Sequence, residues 1–199
     1  SALITYQDGQ RLSSALNSGT NVNLTYQDDK SKYIWIDASL DNGIIIHEYG
    51  HGISNRLTGT GSGCLNTNLS NEQMGEGWSD FFALMLTNRP GDNASVARGM
   101  GTFANAEQPN GGGIRPAKYS PDFAINNYTY GRTNGMTTTN AAGATVPHVH
   151  SIGFVWATML WDLHWKYVDR YGYSSNVLSN PNSGSAKVLQ LVMDGLKLQ

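Results

Sequence analysis

The stretch His47-Glu48-Tyr49-Gly50-His51 decides how this 199-residue chain is interpreted. On a helix, a spacing of four residues turns the chain by about 400°, so His47 and His51 lie one above the other on the same face. Two stacked imidazoles can both reach one small metal ion. Glu48 lies about 100° further round, where it can accept a proton from a water molecule at that metal without binding the metal itself. The spacing therefore predicts a metal-binding helix that carries its own general base.

A third ligand is predicted at Glu76, in the segment Gly75-Glu76-Gly77-Trp78-Ser79-Asp80. A catalytic zinc needs three protein ligands and one open position, and His47, His51 and Glu76 supply such a set for one Zn²⁺ per chain. Asp80 follows four residues later on the same helix face, where it can accept the second ring N–H of a ligating histidine and fix its tautomer. The alternative is an ordinary amphipathic helix with surface histidines and a solvated acidic face.

Helix signals surround both motifs. The first helix is predicted to begin near Asp41 or Asn42, which are capping residue types, and to end before a left-handed Gly59. Three of its apolar residues recur at a spacing of four and predict a packed face: Ile45, Tyr49 and Ile53. The second helix is predicted to follow a capping box at 70–73 and to stop at 88–91. Its apolar stripe consists of Trp78, Phe81, Phe82 and Met85.

The remaining elements give the fold class. A β-hairpin is predicted within 22–36, a short helix at 94–100, a long helix at 149–171 and a last helix at 185–196, while 102–147 shows little periodicity. The hairpin strand could hold a substrate by main-chain hydrogen bonds, or it could be purely structural. The chain is thus predicted to be mainly α with a small N-terminal β-hairpin. We expect one domain over 1–199, with a β-containing lead-in at 1–37 and a zinc-binding helical part at 38–199.

Composition narrows the possible partners. The net charge is −2 and charged residues make up 14% of the chain, so neither nucleic acid nor an anionic membrane is expected as a partner. No apolar stretch reaches the roughly 18 residues that a membrane-spanning helix needs. Cys64 is the only cysteine, which excludes an internal disulfide framework.

Several ordered motifs together resemble the fungalysin family of secreted metallopeptidases, relatives of the thermolysin-type enzymes. The resemblance covers roughly residues 38–199. It is carried by His47-Glu48-Tyr49-Gly50-His51-Gly52-Ile53-Ser54-Asn55-Arg56-Leu57-Thr58-Gly59, by Gly75-Glu76-Gly77-Trp78-Ser79-Asp80-Phe81, by Ile114-Arg115-Pro116, by Tyr119-Ser120, by Tyr128-Thr129-Tyr130, by Val149-His150-Ser151-Ile152-Gly153-Phe154-Val155-Trp156-Ala157, and by Leu189-Gln190-Leu191-Val192-Met193-Asp194-Gly195.

The resemblance implies a thermolysin-like zincin domain in which His47, His51 and Glu76 bind zinc and Glu48 is the general base. It also implies that His150 assists the transition state, with His148 as the competitor for that role. His164, mid-helix among tryptophans, is expected to be structural. The family's catalytic unit has a substantial β-rich half before the zinc helix, whereas 46 residues precede His47 here. We therefore expect a short member or a piece of a longer precursor, with the remainder of that precursor as a partner.

The predicted function is secreted, zinc-dependent endopeptidase activity on protein or peptide substrates. Two alternatives stay open at the level of the sequence. One is a zinc-binding but inactive fragment of a larger peptidase. The other is a zinc aminopeptidase, which would need an acidic pocket for a free N-terminus, and no further acidic motif near the zinc helices suggests one.

Overall fold

The computed structural model describes residues 6–23, 36–59, 65 and 74–199. The chain divides into two compact units, Ser1–Trp35 and Ile36–Gln199. In the first unit the described element is helix α1, Tyr6–Asn17, which the sequence did not predict. Residues 24–35, which hold most of the predicted hairpin, lie outside the described residues.

The second unit is mainly helical. It contains α2 (Asn42–Leu57), α3 (Met74–Leu86), α4 (Val149–Tyr171) and α5 (Gly184–Lys197), with single 3-10 turns at Ala38–Leu40 and Tyr130–Thr133. A two-stranded antiparallel sheet pairs β1 (Thr137–Thr139) with β2 (Thr145–Pro147). No helix in the described part of the chain is long and apolar enough to cross a membrane.

Capping at both ends of α2 confirms the sequence prediction. Asp41 is the N-cap, and its side chain accepts hydrogen bonds from the backbone N–H groups of Gly43 at 2.8 Å and Ile44 at 3.2 Å. The helix ends at Leu57, and Gly59 follows in the left-handed region with φ +55°. The side chain of Asp41 satisfies N–H groups that the start of the helix leaves unpaired, and the N–H of Thr58 donates to the carbonyl of Ser54 at its end. The N–H of Gly59 donates to the carbonyl of Gln199 instead.

The prediction that Ile45, Tyr49 and Ile53 form a packed face of α2 is wrong for the first two residues. Ile45 is 48% exposed and Tyr49 is 74% exposed, whereas His47, Gly50 and Ser54 are buried. The reason is a close approach of α2 to α3, since a Cβ added at Gly50 would lie 2.9 Å from the Cα atom of Ser79. The small residue thus sets which side of α2 faces the core, and that side carries the first histidine.

Helix α3 is the centre of the unit. Every residue from Gly77 to Met85 is buried, as expected of a helix that is surrounded by other elements. The predicted stripe of α3 packs with apolar residues of α4 and α5, while Ala83 and Leu84 join a second cluster with Phe154 and Trp161. The predicted capping box at 70–73 lies outside the described residues.

The two C-terminal helices agree closely with their predicted bounds. Helix α4 spans the predicted residues and ends before Gly172, which has φ +82°. Helix α5 begins one residue earlier and ends one residue later than predicted, and it buries Val188, Val192 and Leu196. Trp161 and Trp165 of α4 are core residues.

The prediction of a helix at 94–100 is wrong. This segment forms isolated bridges instead, Arg98 with Tyr119 and Met100 with Gly113. A Cβ at Gly113 would lie 2.1 Å from the carbonyl oxygen of Met100, so only glycine permits this backbone approach. Long-range pairing of this kind overrides local helix propensity. The segment 102–147 is irregular for most of its length, as predicted, but also contains β1 and β2.

Candidate metal centre

Helix α2 brings two imidazole rings together at the centre of the site. The Nε2 atoms of His47 and His51 are 3.1 Å apart, and the ring centroids are 4.8 Å apart. His47 is buried on the side of α2 that faces α3, while His51 is partly buried. The spacing of four residues therefore has the consequence that the sequence predicted, two ring nitrogens that face the same point.

Helix α3 adds a carboxylate to this point. The Oε2 atom of Glu76 lies 3.1 Å from Nε2 of His47 and 3.7 Å from Nε2 of His51. Oε2 is buried and has no hydrogen bond of acceptable geometry among the described residues. A buried carboxylate oxygen without such a partner is costly, and a cation between the three atoms would satisfy it.

The three distances fit a zinc ion. Ligands bound tetrahedrally at 2.0–2.1 Å are separated from one another by roughly 3.3 Å. The three donor atoms are 3.1, 3.1 and 3.7 Å apart, close to that separation. Among the described residues, His47, His51 and Glu76 form the group of His, Cys, Asp and Glu side chains that could hold a metal ion. Nitrogen and oxygen donors of these types suit zinc.

Asp80 holds the first histidine in place. Its Oδ1 atom is 2.6 Å from Nδ1 of His47, and its carboxylate is buried. The Nδ1–H of His47 donates to this carboxylate, which leaves Nε2 directed toward His51 and Glu76. Asp80 therefore contacts a histidine of the candidate metal group, as the spacing on α3 predicted.

Two residues outside the predicted site complete the surroundings of Asp80. Arg115 donates to both carboxylate oxygens, at 2.7 and 2.8 Å, and the hydroxyl of Tyr119 donates to Oδ2. The segments around both residues contribute to the family resemblance, but no spacing rule connects them to α3. Their contacts span 35 and 39 positions along the chain, and they form because the irregular segment returns to α3.

Neighbouring charges shift the pKa values of His47 and Asp80. Burial alone would lower the pKa of His47, but its contacts with Asp80 and Glu76 outweigh burial and raise the pKa to about 9. Burial opposes ionisation of Asp80 too, yet Arg115 and His47 lower the pKa of Asp80 to about 2. In the metal-free chain His47 is therefore protonated at neutral pH. A proton and a metal ion compete for the same lone pair.

Glu48 lies next to these residues without joining them. Its side chain is exposed on α2, in contrast to that of the neighbouring His47. Its negative charge, with that of Glu76, opposes the effect of burial on His51, whose pKa is nevertheless lowered. Glu48 therefore acts on the candidate metal group through its charge and is not one of the three donor residues.

The two histidines at the start of α4 differ in their contacts. His150 is half-exposed, and its Nε2 lies 3.4 Å from Oε1 of Glu76. Partial burial, with the positive charge of Arg115, outweighs the attraction of Glu76 and lowers the pKa of His150. The Nδ1 atom of His148 instead accepts the backbone N–H of Ser151, which caps the helix. The structure thus brings His150, and not His148, against the metal group.

His164 lies away from the site, in the core. Its ring stacks on Trp161 at 4.7 Å with an interplanar angle of 1°, and Nδ2 of Asn88 donates to its Nε2 at 3.3 Å. This fully buried position agrees with the structural role that the sequence indicated.

A His-Glu-x-x-His helix with a carboxylate from the next helix is the arrangement typical of zinc metallopeptidases. The chain belongs to one such family: residues 3–199 match the fungalysin metallopeptidase family (M36). An extracellular metalloproteinase of Aspergillus niger is 39% identical over 180 residues, which cover 84% of this chain and 26% of that protein. Extracellular metalloproteinase 3 of Trichophyton tonsurans is 40% identical over 217 residues, covering 100% of this chain and 31% of that protein. The chain thus spans about a quarter to a third of these relatives.

Proposed function

We propose that this chain is the zinc-binding part of a secreted, zinc-dependent endopeptidase with a thermolysin-like arrangement of its helices. The observation that carries the proposal is the convergence of three donor atoms, from His47, His51 and Glu76, at separations that suit one zinc ion. Membership of the fungalysin metallopeptidase family supports it.

The proposed reaction divides the work among the residues around the metal group. Zinc, when bound, supplies a Lewis acid that polarises a carbonyl and lowers the pKa of water toward about 7. Glu48 takes a proton from the attacking water and passes it to the leaving amine. Asp80, held by Arg115, keeps the ring of His47 in its ligating orientation.

His150 is proposed as the donor to the charge that develops on the carbonyl oxygen. Its lowered pKa favours the neutral ring at pH 7, which still offers one N–H. Its contact with Glu76 supports this role over His148, whose Nδ1 is engaged in the helix cap. A donor directed at the developing oxyanion stabilises the transition state more than it stabilises the bound substrate, so it lowers the barrier to hydrolysis.

Secretion and protein substrates are part of the same proposal. The relatives are named extracellular metalloproteinases, and this chain is 39% and 40% identical to two of them. The net charge of −2 gives no reason to expect nucleic acid as a partner.

The deciding experiment measures zinc content and hydrolysis together. We expect one zinc per chain, cleavage of casein, loss of cleavage with a chelator and recovery when zinc is restored. Release of single residues from short amino-acyl substrates, without cleavage of casein, would favour an aminopeptidase instead. Because the chain spans only part of its relatives, one bound zinc with no hydrolysis would identify a zinc-binding, non-catalytic piece.

A further inference from the structure

The hairpin β1–β2 lies on the side of the site that carries His150. Strand β2 ends at Pro147, and His148 then caps helix α4. The backbone N–H of His148 donates to the carbonyl of Met136 at 2.9 Å, which closes the base of the hairpin. The rings of His148 and His150 are 6.1 Å apart, and His150 in turn contacts Glu76. Three consecutive contacts therefore join the hairpin base to the metal group.

The hairpin is fixed at both of its ends. At the base, Met136 packs against the core cluster that contains Phe154. At the tip, the side chain of Asn140 accepts the backbone N–H groups of Ala142 at 3.0 Å and Ala144 at 2.9 Å. A ligand that paired with this hairpin would meet a preformed backbone and would not have to order it.

The register of the hairpin shows which backbone groups are free. Asn140 is hydrogen-bonded to Ala144, and Met136 to His148, so the alternation of an antiparallel ladder makes Thr138 and Val146 the hydrogen-bonded pair between them. Thr137 and Thr139 therefore direct their N–H and C=O groups away from β2. All three threonines of β1 are exposed, and no further strand pairs with β1 among the described residues.

The two edges of the hairpin are not equivalent. The outer edge of β2 includes Pro147, which has no N–H to offer. The outer edge of β1 has two complete donor and acceptor pairs, at Thr137 and Thr139. Residues 137–147 contain no charged residue. Proteins usually protect exposed sheet edges with charges, proline or a covering element. Strand β1 has no charge or proline, and all three of its residues are exposed among the described residues.

We infer that the outer edge of β1 binds an extended segment of the peptide substrate as an added third strand. The inference rests on the proposed function, because a peptidase binds its substrate as an extended peptide and the hairpin lies on the side of the site that carries His150. Main-chain pairing fits the composition of the strand, since it needs no particular side chain and leaves alternate residues of the peptide free. The β1 edge would then hold substrates of many sequences in one register relative to His150.

The test compares proline at the two edges. Thr139→Pro removes an outward N–H from β1, while Thr145→Pro removes one from β2, and neither N–H takes part in the ladder between the strands. Thr139→Ala keeps the N–H and removes only the side chain. Each zinc-loaded chain is tested for binding of a fluorescent eight-residue peptide in the Glu48→Gln background, and for hydrolysis of the same peptide with Glu48 intact.

Loss of one main-chain hydrogen bond should weaken peptide binding by about three- to tenfold in Thr139→Pro. We expect changes of less than twofold in Thr139→Ala and Thr145→Pro, and equal melting temperatures for all four chains. Equal binding by Thr139→Pro and the unmodified chain would overturn the inference, as would equal losses in both proline variants. If Thr139→Pro unfolds, Thr137→Pro repeats the test on the same edge. Selective loss of binding without any hydrolysis would retain the docking edge and refute the proposed peptidase activity.

Discussion

Two glutamates at the site have different expected roles, and substitution separates them. Glu76→Ala should remove most of the bound zinc, because Oε2 is one of three converging donor atoms. Glu48→Gln should keep the zinc and lose hydrolysis, since the amide has nearly the same shape but cannot accept the proton. Zinc content by atomic emission and casein hydrolysis measure the two effects. Full zinc retention in Glu76→Ala would mean that the third ligand lies elsewhere, and wild-type hydrolysis in Glu48→Gln would refute the general base.

Asp80 is expected to act through His47. Asp80→Asn removes the charge that faces His47 and Arg115, so zinc affinity or activity should fall by about 10- to 100-fold. Asp194→Asn is the control, because that exposed carboxylate contacts only Gln190 and Lys197 among the described residues. Competition with a chromophoric chelator measures the affinity. Equal affinities in the two variants would make Asp80 a structural charge.

His150 and His148 can be ranked by the same logic. His150→Ala should lower turnover by about 100- to 1,000-fold without loss of zinc, as expected for a donor to the transition-state oxygen. His148→Ala removes a helix cap, which costs about 1 kcal/mol of stability, and should lower turnover by less than about tenfold. Turnover and melting temperature are measured for both variants. The reverse ranking would assign the donor role to His148.

At the scale of the elements, the sequence predicts most helices and the grouping of His47, His51 and Glu76, but not the contacts between distant segments. The spacing of His47 and His51 is local, and so are the caps of α2, so both follow from helix geometry. Periodicity identifies residues that share a face, but does not say which face is covered. Ile45 and Tyr49 share an apolar face that remains exposed, because the contact at Gly50 determines how α2 packs.

The contacts of Arg115 and the bridges of Arg98 and Met100 also could not be predicted from periodicity. These contacts join an irregular segment to α3 or to another part of itself, and no periodic pattern encodes them. The surroundings of Asp80 therefore depend on the path of the chain between α3 and α4. That path can be derived only from the folded structure.

The glycines of α2 test the packing argument. Gly50 and Gly52 lie in the same helix, two residues apart, but an added Cβ at Gly50 meets the backbone of Ser79, whereas one at Gly52 meets only the flexible end of Arg56. Gly50→Ala should destabilise the protein by about 1–3 kcal/mol through overpacking. Gly52→Ala should stabilise it by up to about 1 kcal/mol, because alanine has the higher helix propensity. Urea unfolding monitored by circular dichroism measures both changes, and equal effects would contradict the close approach of α2 to α3.

At the scale of the whole molecule, the metal group depends on packing around α3. The candidate ligands come from α2 and α3, while His150 comes from α4, and all three helices share the core around α3. Loss of core packing should therefore release the metal. The stability of this core should depend on pH through His164, which is buried in the core on α4. His164 is not a member of the metal group.

Burial lowers the pKa of His164 to about 4, from an ordinary value of 6.5. A depressed pKa means that the unfolded chain binds the proton first, so the stabilisation is complete above pH 6.5 and is lost as pH falls toward 4. The shift corresponds to about 3 kcal/mol of unfolding free energy. In zinc-free protein His51 and His150 also have lowered pKa values and lose stabilisation as pH falls below 6.5, but they do so in the unmodified chain and in a His164 variant alike. His47 and Asp80 contribute little to this window. His47 has a raised pKa and keeps its contribution below pH 6.5, while Asp80 loses its contribution only below its ordinary pKa of 3.8.

His164→Phe should remove this acid sensitivity. The phenyl ring can keep the stack on Trp161, but Nδ2 of Asn88 loses its acceptor, so the variant should be less stable by about 1–3 kcal/mol at pH 7. Between pH 6.5 and 4 its unfolding free energy should fall by about 3 kcal/mol less than that of the unmodified chain. Urea unfolding of both chains in chelator, at half-unit intervals of pH, measures the difference. Parallel curves would show that His164 is not the group whose protonation destabilises the core in acid.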